Sequence, residues 1–290
     1  MSGAPSVGWP APAKINRFLH ITARRPDGYH TLQTLFQFIE PADELAFTVT
    51  PGGGIEREGG LAGLAPAADL AVRAAAALRA HIGTGQGVRI RLGKRIPAGG
   101  GLGGGSSDAA TVLVALNELW GCRLPRRELE RIGLGLGADV PVFVRGEACW
   151  AEGIGEVLTA VAADRPWLVI VDPGVRVETA AVFADTKLTR HRGRITIRDL
   201  EAGAAGNDCE PVVRRRYPAV AQALDALAAF GPTRLTGTGG CLFATFDSRE
   251  SAHQAASGVR ASGRVWVSRA CNRSPLLERL DAERARTTGA

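Results

Sequence analysis

The chain has 290 residues, 45% of them hydrophobic and 22% charged, which is typical of a globular protein and excludes a disordered or collagen-like chain. This length predicts two domains of roughly 100–200 residues each. The net charge of +6 is too small to choose between a nucleotide, a nucleic acid and no anionic partner. No apolar run approaches the roughly 18–20 residues that cross a bilayer, and residues 1–12 lack the pattern of a signal peptide, so we expect a cytoplasmic protein.

The cysteines and histidines predict neither disulfides nor a metal centre. The five cysteines are an odd number without a C-x-x-C pair, and the five histidines show no H-E-x-x-H or H-x-x-H spacing. We therefore expect the cysteines to be small apolar core residues in a reducing compartment, and no metal ligated by the protein.

Lysine is scarce, because only Lys14, Lys94 and Lys187 stand among 35 basic residues. A compact ammonium cannot be exchanged for a guanidinium everywhere, so a lysine in so arginine-rich a chain is informative. Lys14 is the strongest candidate for a functional role, although a single lysine near the start of a strand more often forms a structural salt bridge.

In chain order, period-2 alternation, capping residues and 3.6-residue periodicity predict the elements of the first half. Strands are predicted around 15–19 and at 32–39, 44–50, 88–92 and 140–144, and helices at 69–80, 106–120 and 129–136, the first capped by Asp69. Residues 162–166 resemble a linker, which places a domain boundary near 162.

Strands and helices alternate in the second half, which predicts a compact α+β sandwich. Strands are expected at 167–171, within 235–246 and at 264–267, and helices at 218–230, 248–261 and from about 275. Residues beyond Arg279 are charged and are expected to fray.

The strongest chemical signal is a glycine-rich segment between a strand and a helix, which we name the glycine loop. Its members are Pro97, Ala98, Gly99, Gly100, Gly101, Leu102, Gly103, Gly104, Gly105, Ser106 and Ser107. Glycines let backbone N–H groups crowd around an anion, and the following helix directs its unsatisfied N–H groups to the same place. The loop lacks the lysine of a Walker A sequence and the downstream acid of a dinucleotide fold, and no protein-kinase motif follows it.

Three further clusters are ambiguous when each is considered alone. The first combines residues 12–16 with 25–30. The second contains Asp139, which is either a helix cap or a functional acid. The third is the glycine-rich turn at 235–241, which would also suit a tight hairpin.

In their order and spacing, these clusters resemble the superfamily of galactokinase, homoserine kinase, mevalonate kinase and phosphomevalonate kinase. The segments P-A-K-x-N, R-x-D-G-Y-H, P-x-G-G-G-L-G-G-G-S-S, L-G-A-D-V-P-V-F, N-D-C-E-P-V and R-L-T-G-T-G are most similar to the family that phosphorylates 4-diphosphocytidyl-2-C-methyl-D-erythritol. The similarity covers nearly the whole chain. Asp69 stands where the resemblance leads us to expect asparagine, and Asp108 stands where some relatives carry asparagine.

The resemblance implies a two-domain α+β fold with an active site in the cleft between an N-terminal ATP-binding domain, 1–161, and a C-terminal substrate-side domain, 162–290. It implies transfer of the ATP γ-phosphoryl group to the substrate's 2-hydroxyl, a step of the non-mevalonate isoprenoid pathway. The partner is then a small molecule, with no nucleic acid or membrane. Mg²⁺ would bridge triphosphate oxygens rather than occupy a protein cage.

The same resemblance assigns roles to individual residues. Asp139 matches the catalytic aspartate that takes the proton of the attacking hydroxyl, and Lys14 the lysine that keeps this aspartate charged and orients the hydroxyl. The glycine loop would wrap the triphosphate. Substrate-side positions are Asn16 at the sugar alcohol, Tyr29, His30 and Phe183 at the cytosine, and Thr236 and Gly239 at the closing turn.

Three alternatives remain. The first is another kinase of this superfamily, acting on homoserine, mevalonate or a sugar. The second is a basic RNA-binding protein with 214–216 as its patch, but no aromatic residues interleave with this arginine run. The third is a nucleotide-binding regulator without catalysis, against which the joint presence of Lys14 and Asp139 argues.

Overall fold

The computed structural model describes residues 5–204 and 206–288, so positions 1–4, 205 and 289–290 of the two predicted domain ranges lie outside it. In this part of the chain the strands are β1 (Ser6–Arg24), β2 (His30–Thr50), β3 (Ile55–Gly59), β4 (Gly87–Gly93), β5 (Cys149–Glu152), β6 (Val157–Ala160), β7 (Trp167–Asp172), β8 (Thr233–Leu235), β9 (Leu242–Phe246) and β10 (Arg264–Arg269). The helices are α1 (Leu70–Ile82), α2 (Gly104–Leu119), α3 (Arg126–Leu134), α4 (Val140–Arg145), α5 (Thr179–Ala184), α6 (Ile197–Glu201), α7 (Glu210–Arg216), α8 (Pro218–Ala228), α9 (Arg249–Gly258) and α10 (Pro275–Thr288). None of these helices is long and apolar enough to cross a membrane.

Two long antiparallel strands organise the first sheet. β2 pairs with β1, β4 and β5, while β3 lies parallel to β4 and β6 pairs with β5. The strands predicted at 32–39 and 44–50 belong to one continuous strand, so the predicted break is wrong. A bulge between the Pro12–Ala42 and Ala13–Ile39 pairs absorbs the two intervening residues of β2.

Helices α1 and α2 cover one face of this sheet and bury the first core. The predicted alternation in β4 is confirmed, because Val88, Ile90 and Leu92 are buried while Arg89 and Arg91 are exposed. α2 is buried along most of its length, from Ser107 to Asn117. This helix follows the glycine loop directly, so the loop is anchored to the best-packed element of the first core.

The second sheet is antiparallel, in the order β10-β7-β9-β8. Its central strand β7 is apolar on both faces. Val169 and Val171 pack with α8 and α9 residues such as Leu224 and Ala252, while Leu168 and Ile170 face the other way. The two sheets, each packed against helices, confirm the α+β class.

A separate small core joins the two halves. Ala13, Ile15 and Ile39 from the long strands pack there with Leu168 and Ile170 of β7. Ile96 and Leu102, which flank and belong to the glycine loop, are part of the same cluster, so the loop and β1 are held against the second sheet by apolar contacts.

Two sequence predictions fail in this region of the molecule. Residues 140–144 form the helix α4 rather than a strand, because Pro141 occupies its first turn and a five-residue apolar run carries no period that separates the two states. The predicted fraying beyond Arg279 is wrong as well. α10 continues to Thr288, and Arg279 lies over the Trp9 ring at 4.4 Å.

α10 also crosses the predicted boundary in space. Its Leu276 and Leu280 are buried in the first core, although they follow the second sheet in sequence. The domain boundary near residue 162 stays a prediction. The last helix, α10, follows this boundary in sequence but packs on the N-terminal half.

Candidate active site

The glycine loop bends through backbone conformations that favour glycine. Gly101 has φ +77° and Gly103 has φ +74°. A Cβ on Gly101 would lie 2.2 Å from the Thr236 carbonyl oxygen, and one on Gly103 would lie 2.7 Å from Cζ of Phe143. Neither position has room for a side chain, so the loop can approach its neighbours this closely only as glycine.

A cavity of about 920 Å³ lies between the two halves of the molecule, with the glycine loop along one side. Residues Pro97 to Ser106 line it, together with the predicted residues Lys14, Asn16, Tyr29, His30, Asp139 and Phe183. The first turn of α2 contributes to this wall, and the N–H groups of a first helical turn have no partners within their helix. This arrangement suits the binding of an anion such as a phosphate chain.

Lys14 and Asp139 meet on the cavity wall although 124 residues separate them in sequence. The Lys14 Nζ lies 3.2 Å from Oδ2 of Asp139, and it donates to Oδ1 of Asn16 at 2.6 Å and to the carbonyl of Gly101 at 3.2 Å. The lysine side chain is 3% exposed, whereas the carboxylate is 34% exposed. The lysine is therefore fixed by three oxygens, while the carboxylate still reaches the cavity.

Asn16 is held in place by hydroxyl groups behind the cavity. Its backbone N–H donates to Oγ1 of Thr236 at 3.0 Å, and its Nδ2 donates to Oγ1 of Thr34 at 2.9 Å. Thr236 is fully buried, so it supports Asn16 and does not line the cavity.

Two other predicted site residues also lie behind the wall, whereas their neighbours line it. Ser107 donates its hydroxyl hydrogen to the carbonyl of Pro12 at 2.7 Å, and Gly239 packs against Leu235. In the closing turn it is Gly237 and Thr238 that line the cavity. The placement differs from the prediction because the two central residues of the turn face the cavity, whereas Thr236 and Gly239 on either side of them do not line it.

The far end of the cavity holds the predicted aromatic and histidine side chains. The rings of His30 and Phe183 are stacked, with centroids 5.1 Å apart and an interplanar angle of 22°. Burial, followed by the charges of Arg190 and Arg24, lowers the pKa of His30. His30 is thus neutral at pH 7, while Tyr29 is 61% exposed on the same cavity.

The arginine run at 214–216 ends α7 and is paired with carboxylates. Arg215 and Arg216 contact Asp185 at 2.8 and 3.2 Å, and Arg214 pairs with Asp225. Each arginine of the run is thus engaged by a carboxylate, and the run does not form a free basic patch for RNA.

Comparison with known proteins shows the family to which the chain belongs. Residues 69–147 match the GHMP kinases N terminal domain, and residues 187–265 match the GHMP kinases C terminal region. The 4-diphosphocytidyl-2-C-methyl-D-erythritol kinase of Alkalilimnicola ehrlichii is 54% identical over 275 residues, which are 95% of this chain and 94% of that protein. The chain belongs to the 4-diphosphocytidyl-2-C-methyl-D-erythritol kinase family.

A further relative and two solved structures are similar to this chain. The same-named protein of Halorhodospira halophila is 52% identical over 282 residues, which are 96% of this chain and 98% of that one. A solved 4-(cytidine 5'-diphospho)-2C-methyl-D-erythritol kinase superposes with a TM-score of 0.78 at 35% identity, over 92% of this chain and 99% of the other. A homoserine kinase from Cytophaga hutchinsonii, 20% identical over 88% and 94% of the two chains, shares the fold with a TM-score of 0.65. The expected two-domain GHMP kinase fold is confirmed.

The kinase cavity is also lined by a residue that the sequence analysis did not select. Lys94 lies between two carboxylates: its Nζ pairs with Asp43 and lies 2.6 Å from Oδ2 of Asp108. Burial alone would lower the pKa of Lys94, but the two carboxylates outweigh it and raise this pKa above its ordinary value. Burial raises the pKa of Asp108 to about 7, although Lys94 acts in the opposite direction.

A signal for Lys94 was available in the sequence, because it is one of only three lysines and it precedes the glycine loop by two residues. Asp69 and Asp108, the two departures named in the sequence analysis, are both paired in this kinase. Asp69 accepts from the N–H of Ala71 as a helix cap and also contacts Arg57 at 2.8 Å. The extra charge of Asp69 is thus compensated by Arg57, and that of Asp108 by Lys94.

Proposed function

We propose that this chain transfers the γ-phosphoryl group of ATP to the 2-hydroxyl of 4-diphosphocytidyl-2-C-methyl-D-erythritol, in the non-mevalonate pathway to isoprenoids. The observation that carries the proposal is the Lys14–Asp139 pair on a cavity that has a phosphate-binding loop along one side and an aromatic and histidine group at its far end. Membership of the kinase family supports both the donor and the acceptor.

In this proposal Asp139 acts on the attacking hydroxyl. Its carboxylate is open to the cavity on one side and held by Lys14 at 3.2 Å on the other. Phosphoryl transfer needs little covalent assistance from the protein, since positioning and charge neutralisation dominate its barrier. In this proposal Asp139 accepts the hydroxyl proton, and Lys14 fixes the carboxylate and the oxygen that attacks.

The glycine loop and the start of α2 hold the triphosphate in this proposal. The glycines of the loop line the cavity with backbone atoms, and Ser106 adds a hydroxyl to it. Within residues 5–204 and 206–288, no three His, Cys, Asp or Glu side chains are grouped to hold a metal. The residues present would fit a Mg²⁺ that arrives with the nucleotide: the ion would neutralise phosphate charge, and the Ser106 hydroxyl on the cavity wall would help to hold it.

The acceptor lies along the rest of the cavity. Asn16, hydrogen-bonded to Lys14 at 2.6 Å, places an amide beside the reacting pair for the sugar-alcohol end. Tyr29, His30 and Phe183 offer two ring faces and an imidazole edge for the cytosine. This end favours the cytidine compound over homoserine, mevalonate or a sugar, none of which carries a flat base.

The test is an assay of ADP release with Mg·ATP, in which the cytidine diphosphate of methylerythritol is compared with mevalonate, homoserine and galactose. We expect turnover with the cytidine compound only. Turnover with another alcohol would retain the kinase chemistry and overturn the proposed base-binding end, and no turnover with any of them would overturn the proposed function.

A further inference from the structure

At the base-binding end of the cavity, the guanidinium group of Arg190 contacts both His30 and Phe183. Arg190 donates from Nη2 to the carbonyl oxygens of Phe183 at 3.1 Å and Asp185 at 2.7 Å, and from Nη1 to that of Leu188 at 3.3 Å. Its Nε donates to Nε2 of His30 at 3.2 Å. Three carbonyl contacts fix the guanidinium plane, so the direction of the fourth hydrogen bond is fixed as well.

This contact determines which nitrogen of His30 carries the ring proton. A guanidinium has donors only, so Nε2 accepts and a neutral imidazole then holds its proton on Nδ1. Burial and two neighbouring arginines disfavour the doubly protonated ring. Among the described residues Nδ1 has no hydrogen-bond partner, and it is not among the buried unpartnered atoms. His30 therefore presents Nδ1–H to the cavity as a free donor.

A fixed donor distinguishes two otherwise similar bases. The central ring nitrogen on the pairing edge of cytosine, N3, is an acceptor, whereas the same atom in uracil carries a proton and donates. A histidine free to exchange its two neutral forms could meet either base, with Nδ1 donating to one and accepting from the other. With Arg190 on Nε2, only the form that suits cytosine remains, and a donor left facing a donor is costly.

We propose that Arg190 is a positioning residue that fixes His30 as an Nδ1–H donor and so makes the base-binding end select cytosine over uracil. This inference rests on the proposed function for its substrate. It assigns Arg190 no contact with the reacting atoms, so its effect belongs to substrate affinity and base selectivity rather than to the chemical step.

The first test does not depend on turnover. The full chain is labelled with ¹⁵N-histidine, and the ring nitrogens of His30 are observed by NMR at pH 8, assigned by their loss in His30→Gln. We expect a protonated Nδ1 and an unprotonated Nε2 in the wild type, and a mixture of both neutral forms in Arg190→Met. A wild-type His30 protonated on Nε2, or the same tautomer in Arg190→Met, would overturn the inference. The wild-type measurement decides this even where Arg190→Met fails to fold.

The second test measures selectivity. KM is determined for the cytidine substrate and for its uridine counterpart in the wild type, Arg190→Met and the control Arg194→Met, whose arginine is 67% exposed and contacts Glu152. We expect the ratio of the two KM values to fall about tenfold or more in Arg190→Met, the scale of one hydrogen bond, with the change in KM rather than kcat. Arg194→Met should keep the wild-type ratio.

The outcomes separate the two proposals. Wild-type turnover of the cytidine compound with an unchanged ratio in Arg190→Met overturns the role of Arg190 and leaves the proposed function standing. A wild type that phosphorylates neither compound overturns the proposed function and, with it, the proposed selectivity for cytosine.

Discussion

Lys14 and Lys94 are both buried ammonium groups on the wall of one cavity, but the carboxylates around them differ. Lys94 contacts two aspartates, Asp43 and Asp108, that are almost wholly enclosed, with side chains 0% and 3% exposed. Lys14 contacts one, Asp139, which is 34% exposed. Two enclosed carboxylates have no open oxygen for a substrate and serve to hold Lys94 in the fold, whereas a carboxylate that is fixed on one side and open on the other is suited to chemistry.

Removal of the ammonium from the enclosed cluster should have the largest effect. Lys94→Met leaves Asp43 and Asp108 buried together without a cation, and we expect a loss of about 3–5 kcal/mol in the free energy of unfolding. Urea denaturation measures this against Lys187→Met, which changes an exposed lysine of the same chain. Equal midpoints for the two variants would show that the cluster around Lys94 is not structural.

At the open pair, the main effect should be on turnover. Asp139→Ala is expected to lower kcat by at least about 10², the scale of a lost general base, with ATP and substrate binding nearly intact. Asp139→Asn is the matched control, because it keeps an oxygen for Lys14 and removes only the base. Normal turnover in both variants would exclude Asp139 from the chemical step.

Lys14→Met tests the other member of the open pair. Methionine fits beside the Phe36 ring, which lies 5.1 Å from the ammonium, but it no longer orients the carboxylate. We expect kcat to fall by about 10² and the unfolding midpoint to change far less than in Lys94→Met, because Asp139 can be solvated from the cavity. If Lys14→Met unfolds as easily as Lys94→Met but has normal turnover, Lys14 is structural and has no part in the reaction.

The smallest effect is in the pH dependence of stability. Asp108 has a pKa of about 7 in the folded chain, above its value of 3.8 when unperturbed, so the folded state binds more protons between these values and stability falls as the pH rises through this window. Asp108→Asn should remove at least about 1 kcal/mol of this decline between pH 5 and 8. If the free energies of unfolding of the wild type and Asp108→Asn change with pH in the same way, the raised pKa of Asp108 is contradicted.

Much of the candidate site is visible in the sequence because its parts are local. The glycine loop and α2 adjoin each other, and the lysine beside Asn16 belongs to a short segment, so spacing and residue type are sufficient. The meeting of Lys14 with Asp139 was available only through the family resemblance, since no periodic pattern links residues so far apart.

Other features depend on tertiary packing that no local pattern carries. The run at 140–144 is a helix because it packs under α2 and α3, and five apolar residues cannot express that difference. The contact of Arg190 with His30 joins the start of β2 to a loop without regular structure 160 residues later. Among 32 arginines, nothing in the sequence distinguishes Arg190 from its neighbours.

The return of α10 to the first core has a consequence for synthesis of the protein. A nascent chain that has left the ribosome as far as Ala270 carries both sheets but still lacks Leu276 and Leu280, which complete the core beside β1 and α2. The N-terminal half therefore cannot finish folding ahead of the C-terminal half, as an autonomous domain would during translation. Its closure is expected among the last events, when α10 packs against β1 and α2.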